Sequence, residues 1–289
     1  MPKSIVSLVI VAAVAAVAAG CWGCGGGGDA EYAERMAAEH AGDRPVASGA
    51  APGGPAEGIE EETVEYATVN DRVVSGFLAR PAGAERGGPA VIVIQEWWGL
   101  NDNIRSMARR LAGEGYTALA VDLYAGEVAE DPERARALMQ ATMEREDELE
   151  NNLRQAYSYL TDARGAANIG TIGWCFGGGW SLRTALLHPD GVDAAVIYYG
   201  HLITDKEQLA TLQMPILGIF GAEDKGIPVE GVREFETALE ELGKDAAIHV
   251  YEGADHGFAN PSGTRYKQDA AEDAWSKTLA FLAENLGSS

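Results

Sequence analysis

The chain has 289 residues, with 22 basic and 44 acidic side chains and a formal charge of −22. That length holds one large domain or two small ones, and 46% hydrophobic with 23% charged residues is ordinary globular composition. So acidic a chain argues against a nucleic-acid partner, because nothing offsets its repulsion of phosphates, and three cysteines are too few for a disulfide framework.

The chain opens with Lys3 and then an uncharged Ala-Val stretch, Ser4 to Ala19. It is short for a spanning helix, which takes roughly 20 apolar residues, and residues 1–20 read as a signal peptide. Its end, Ala18-Ala19-Gly20-Cys21, resembles the bacterial lipoprotein signal. That resemblance implies that Cys21 is lipidated and becomes the new N-terminus. The protein is then extracytoplasmic and touches a bacterial membrane only through its lipid. The rival readings are cleavage after Ala16-Val17-Ala18, giving a secreted or periplasmic soluble protein, and an uncleaved anchor. Residues 21–60 read as a Gly/Ala/Pro-rich tether, with a glycine run at Gly25–Gly28 and an Ala-Pro-Gly mixture at Ala50–Gly58. Within it Glu31–His40 has some helical character, and His40 is assigned to the tether.

Residues 61–289 read as one α/β domain, because strand and helix patterns alternate. Thr63–Val69 and Arg72–Ala79 form an antiparallel pair around the turn Asn70-Asp71, at the N-terminal edge of the sheet. Ala90–Gln95 is a continuous apolar run, as expected for a parallel strand buried on both faces. A helix over Asp102–Gly113 capped by Asn101 follows, then a strand over Tyr116–Val121 and helical patterning in two pieces from Asp131 to Asp162. Strand Ile169–Trp174, helix Phe176–Leu187 and strand Ala194–Tyr199 come next. Strand Pro215–Phe220, a helix near Val229–Leu242, strand Ala247–Tyr251 and a last helix over Tyr266–Asn285 complete a mostly parallel sheet with helices on both faces.

The segment Gly173-Trp174-Cys175-Phe176-Gly177-Gly178 lies where a buried strand gives way to a helix. G-x-C-x-G is the thiol version of the nucleophile elbow, in which glycines let strand and helix approach around a sharp turn. A sulfur at a helix N-terminus is favoured as thiolate, and the Phe176 amide would face the same space as an oxyanion donor. A buried inert cysteine is the bland alternative. The matching base and acid should follow in chain order, acid before base. His256, in the loop after Ala247–Tyr251, fits the base; Asp224, after Pro215–Phe220, fits the acid, with Glu223 as nearest rival and Asp255 disfavoured by adjoining His256.

These residues sit in four motifs, Gln95-Glu96-Trp97-Trp98-Gly99, Asp122-Leu123-Tyr124, Gly173-x-Cys175-x-Gly177-Gly178 and Asp255-His256-Gly257-Phe258, supported by Gly221-x-x-Asp224. In them the chain resembles the dienelactone hydrolase (carboxymethylenebutenolidase) family of α/β-hydrolases, from about Thr63 to Leu286. The resemblance implies a triad of Cys175, Asp224 and His256 and gives Glu96 the role of holding the thiol proton. It makes the Trp97 amide the second oxyanion donor. It also implies hydrolysis of a small ester or lactone through a thioester acyl-enzyme, without a cofactor. One departure concerns the substrate. Where enzymes acting on dienelactone carry an arginine four residues after the histidine, this chain has Asn260, and Arg145 and Arg154 are the basic residues in the region of a second one. Trp98, Tyr124 and Tyr199 could line an apolar acyl pocket with Asn260 at its wall, or serve as plain packing. The competing functions are a non-catalytic binding protein on a hydrolase fold and a thiol redox protein, the latter disfavoured because the folded part has no C-x-x-C. No histidine pair or Cys-His cluster has metal-ligand spacing, and the sequence leaves the oligomeric state open.

Overall fold

The computed structural model describes residues 28–43, 57–84 and 86–287. The expected signal peptide, Cys21 and residues 44–56 of the expected tether lie outside them. Strands β1 (Ile59–Val69) and β2 (Arg72–Pro81) pair antiparallel. Asn70 and Asp71 between them both have positive φ, at 48° and 60°, the twist that a two-residue hairpin turn needs. β1 begins before the expected Thr63. Its acidic start has no apolar alternation; it is carried by the ladder to β2 from Ile59↔Pro81 onward, beside an Arg80–Glu60 pair at 2.6 Å and an Arg109–Glu61 pair at 2.8 Å.

The alternating part follows as β3 (Pro89–Ile94), α2 (Asp102–Gly113), β4 (Thr117–Ala120), α3 (Pro132–Met143), α4 (Glu146–Ser158), β5 (Asn168–Trp174) and α5 (Phe176–Leu187). Then come β6 (Ala194–Tyr198), α6 (Lys206–Leu209), β7 (Ile216–Gly221), α7 (Val229–Glu241), β8 (Ala246–Tyr251) and α8 (Gln268–Leu286). Asn101 caps α2, its side chain accepting from the Ile104 amide at 3.2 Å. The eight strands lie in the order β1-β2-β4-β3-β5-β6-β7-β8, and those from β3 to β8 are mutually parallel. β3, β5, β6 and β7 are buried almost throughout while the edge strand β8 is half exposed, which is why the central strands read as unbroken apolar runs.

The helices cover both faces. Tyr198 reaches α8, where its hydroxyl meets Thr278 at 2.7 Å, and Arg110 of α2 lies over Trp275 of α8. On β5, Gly173 alternates with Trp174 and turns instead toward α5. The carboxyl ends of the parallel strands therefore open on one edge, where the loops after β3, β5, β7 and β8 converge.

The tether expectation does not hold for residues 28–43. Gly28–Glu39 forms a helix, α1, whose Tyr32 and Met36 are buried together with His40 in the turn that follows. These side chains recur every fourth residue, so they lie on one helical face, and that face closes over the carboxyl edge of the sheet. Among the described residues no helix is long and apolar enough to cross a membrane.

Candidate active site

β5 delivers the chain to Cys175, whose φ of 56° and ψ of −120° lie where L residues are strained. The turn is held by the Cys175 amide on the Tyr198 carbonyl at 3.0 Å and by the Gly178 amide on the Cys175 carbonyl at 2.9 Å. Side chains at the flanking glycines are impossible: a Cβ on Gly173 would strike the Gly177 carbonyl, and one on Gly177 the carbonyls of Ile94 and Gln95. Sequence and strain together place Sγ at the sheet edge, with Cys175 only 1% exposed.

The ring of His256, in the loop after β8, is fully buried. Its Nδ1 lies 2.8 Å from Oδ2 of Asp224, whose Oδ1 accepts the amides of Gly226 and Ile227, both at 2.8 Å. Asp255 accepts the His256 amide at 2.7 Å, and Glu223 is exposed, so Asp224 is the acid on this ring. A ring nitrogen of His256 lies within 4.8 Å of Sγ, and Nε2 has no hydrogen-bond partner. Burial opposes charge on both groups. Even so, the neighbouring His256 and His40 hold the Cys175 thiol down to about 6, while Asp224 and Cys175 push His256 well above the usual imidazole range. Both shifts run in the direction of a thiolate–imidazolium pair.

Glu96 follows β3 and is buried, with Oε2 accepting from Asn260 Nδ2 at 2.7 Å. Burial, and then the negative charge of Cys175, raise its carboxyl to about 7. The amides of Trp97 and Phe176 donate to no protein acceptor among the described residues, which leaves both for a ligand oxygen. A cavity of about 160 Å³ opens beside these groups, walled by Glu96, Trp98, His256, Asn260, His40 and Arg265. Tyr124 and Tyr199 are not part of that wall. Tyr124 packs on Phe176 with ring centroids 5.7 Å apart, and Tyr199 stands edge-on to His256 at 5.1 Å. Asp122 shapes the loop after β4 by taking the Tyr124 amide at 2.8 Å. Arg145 and Arg154 also lie off the cavity, paired with Glu148 at 2.9 Å and Glu150 at 3.8 Å. The cation at the wall is Arg265, to which no sequence motif points.

The largest addition to the site is α1. Met36 Sδ lies 3.9 Å and His40 Nε2 3.8 Å from Cys175 Sγ. The His40 ring stacks on Trp97 at 4.4 Å between centroids, and its Nδ1 lies 2.8 Å from Asp43 Oδ2. Arg265 fastens this end of the segment, donating to the Glu39 carbonyl at 2.7 Å and to Asp43 Oδ2 at 2.8 Å. The sequence places His40 in the tether, whereas the structure brings it to the elbow sulfur. The four-residue spacing of Tyr32, Met36 and His40 shows only that they share a face, not what that face meets.

An eight-stranded, mostly parallel sheet with a strained residue at the β5–α5 elbow and a carboxylate-held histidine after the last strand defines an α/β-hydrolase. The sequence profile of the "Dienelactone hydrolase family" matches residues 74–286. A Saccharolobus solfataricus protein provisionally named carboxymethylenebutenolidase is 32% identical over 246 residues, covering 72% of this chain and 93% of the relative. "Protein usf" of Aquifex pyrophilus is 34% identical over 220 residues, covering 74% of this chain and 94% of the relative. The crystal structure of a Klebsiella pneumoniae protein provisionally named dienelactone hydrolase superposes with a TM-score of 0.70 at 29% identity, over 78% of this chain and 99% of that one. The chain belongs to the dienelactone hydrolase family and is a hydrolase.

Proposed function

We propose that the protein hydrolyses a small ester or lactone, with Cys175 as nucleophile, His256 as general base and acid, and Asp224 orienting the imidazole. The observation that carries this reading is the buried His256 ring, tied through Nδ1 to Asp224 and unpartnered at Nε2 beside a sulfur on a strained elbow. Sγ attacks the acyl carbon, and the carbonyl π pair moves to oxygen, where the Trp97 and Phe176 amides receive the oxyanion. Its collapse breaks the C–O bond, and the leaving alkoxide takes the His256 proton. His256 then deprotonates water, which attacks the thioester and releases the carboxylic acid and the thiolate. Glu96, with its carboxyl raised to about 7, exchanges protons near neutrality and buffers the thiol between turnovers.

The substrate is an uncharged ester or lactone. Asn260 is occupied with Glu96, and Arg265, the cation at the wall, is matched by Glu39 and Asp43. A panel of short-chain esters and lactones, with dienelactone included, tests this on the purified full chain. Neutral esters should be turned over and the free carboxylate of dienelactone disfavoured, and Cys175→Ala should abolish turnover with the fold intact. Wild-type kcat/KM in Cys175→Ala would end the assignment. For the address, Cys21 is proposed as the lipidated N-terminus of an extracytoplasmic, membrane-anchored enzyme. Fractionation of wild type and Cys21→Ser, with intact-mass analysis, should find acyl groups and membrane association in the wild type alone. A lipid-free mature N-terminus elsewhere would make it a secreted or periplasmic soluble protein.

A further inference from the structure

Hydrolysis as proposed uses Cys175 and His256 but gives no work to Met36 or His40, although both side chains end at the same sulfur. The three atoms offered by His40, Cys175 and His256 lie within 4.8 Å of one another, all on buried residues. Met36 Sδ adds a fourth donor, 3.9 Å from Sγ. The two histidines share one feature: each has Nδ1 held at 2.8 Å by a carboxylate, Asp43 for His40 and Asp224 for His256, and on His40 the Arg265 guanidinium lies at 3.1 Å from the same Nδ1. Each therefore presents Nε2 inward, and for His256 that atom is buried with no partner. A carboxylate on the far nitrogen of a ligating histidine is the recurrent outer-shell arrangement of metal sites, because it fixes the tautomer and raises ligand basicity.

We propose that Met36, His40, Cys175 and His256 form a binding site for one thiophilic metal ion, with Cu⁺ preferred over Zn²⁺. In a tetrahedral site with bonds of about 2.0–2.3 Å the donor atoms stand about 3.3–3.8 Å apart. The 3.8 Å and 3.9 Å contacts to Sγ are already near that spacing, and the His40, Cys175 and His256 donors all lie within 4.8 Å of one another. Two imidazoles, a thiolate and a thioether make a soft donor set, and the thioether sets the order of preference, since zinc sites are built from Cys, His and carboxylates. The site has no sequence signature because its ligands come from a helix outside the sheet, an elbow and a distant loop. Its effect follows from its membership. An ion held there occupies both the proposed nucleophile and the proposed base, and it ties the face of α1 to the sheet edge, so metal binding and ester hydrolysis exclude each other.

The test is anaerobic titration of the reduced, metal-free full chain carrying Cys21→Ser and Cys24→Ser, which leaves Cys175 as its one thiol, with Cu⁺ against a chromogenic chelator, repeated with Zn²⁺. One Cu⁺ per chain is expected, with X-ray absorption reporting two sulfur and two nitrogen neighbours. His40→Gln and the near-isosteric Met36→Leu should each weaken Cu⁺ binding roughly 10- to 100-fold, and Asp43→Asn by a similar factor through His40. Met36→Leu should leave the Zn²⁺ affinity unchanged, and circular dichroism checks that each variant folds. Failure to bind Cu⁺, a single sulfur neighbour, or equal affinity in this parent chain, His40→Gln and Met36→Leu would overturn the proposal, the last meaning that the thiol alone captures metal. Binding is read without turnover. A protein that binds Cu⁺ but cleaves no ester therefore keeps this site and loses the hydrolytic reading, and the reverse result does the opposite.

Discussion

The two halves of the site are held by different means. Glu96, Cys175, Asp224 and His256 stand on loops that leave β3, β5, β7 and β8 at one edge, so the sheet register sets their spacing before any side chain touches another. Met36 lies on a helix that pairs with no strand, and His40 in the turn that ends it. They are placed by side-chain complementarity: the stack of His40 on Trp97, the ion pairs of Arg265 with Glu39 and Asp43, and the Thr264 hydroxyl on Asp43 at 2.7 Å. A site built on parallel strands tolerates substitution of one member without losing its frame. α1 is seated by the packing of Tyr32 and Met36 and by the contacts around Arg265, with no strand ladder to fix its position. Chemistry should therefore fail sharply when the sheet-borne half is altered, and change in degree when α1 is.

The sharpest break in that comparison is at the base and its acid. His256→Ala and Asp224→Asn should each lower kcat/KM on the order of 10²- to 10⁴-fold, the range found when a base or its orienting carboxylate is lost. Asp255→Asn should cost far less, because its carboxylate holds the His256 backbone rather than the ring. Steady-state kinetics on one good ester decides it, and a larger loss at Asp255 than at Asp224 would reverse the assignment.

The same division explains what could be read from the chain. A strand–turn–helix crossover with glycines at 173 and 177 carries its own geometry, so Cys175 was legible, and the order acid-then-base picked out Asp224 and His256. Even the Asn70-Asp71 turn was local information. Glu96 and Trp97 drew their roles from family resemblance, since a carboxylate at a strand end has no pattern of its own. His40 was illegible for a physical reason. Its neighbours in sequence are alanines and acids, and nothing within the segment says that Tyr32, Met36 and His40 will meet a sheet edge rather than water. Arg265 was hidden similarly, as its partners Glu39 and Asp43 lie at the other end of the chain.

A second test stays within the sheet-borne half and reads stability. Glu96 is raised from 4.5 to about 7 by burial and the nearby thiolate, so the folded state holds its proton more tightly than the unfolded chain does. Its favourable contribution is complete below pH 4.5 and is lost as pH rises through 7. At about 1.4 kcal/mol per pKa unit the loss is about 3 kcal/mol. Glu96→Gln removes the titration while its amide oxygen can still accept from Asn260. Its Tm minus that of wild type should thus grow between pH 5 and pH 8, by roughly 5–10 °C for a domain of this size. Parallel Tm curves over that range would mean that Glu96 ionises in the folded state as freely as in water.

The smallest effect expected is the one that bears most directly on α1. Burial opposes ionisation of Cys175, and His256 and then His40 offset it to bring the thiol to about 6. His40→Gln removes the second of these cations and leaves the first, along with the elbow and Asp224. The thiol should then titrate higher, short of its ordinary 9.0 because His256 is still there. A shift of about one unit in the acid limb of the kcat/KM profile gives roughly a fivefold loss at pH 6, approaching tenfold below it, and almost none at pH 9, where the thiolate forms in either protein. The loss must shrink as pH rises, since only the fraction of thiolate has changed. A pH-independent loss would instead show that α1 positions the substrate or the Trp97 amide on which His40 stacks. No loss at any pH would leave His40 without a part in hydrolysis, and the contrast between the two halves of the site would then rest on metal binding alone.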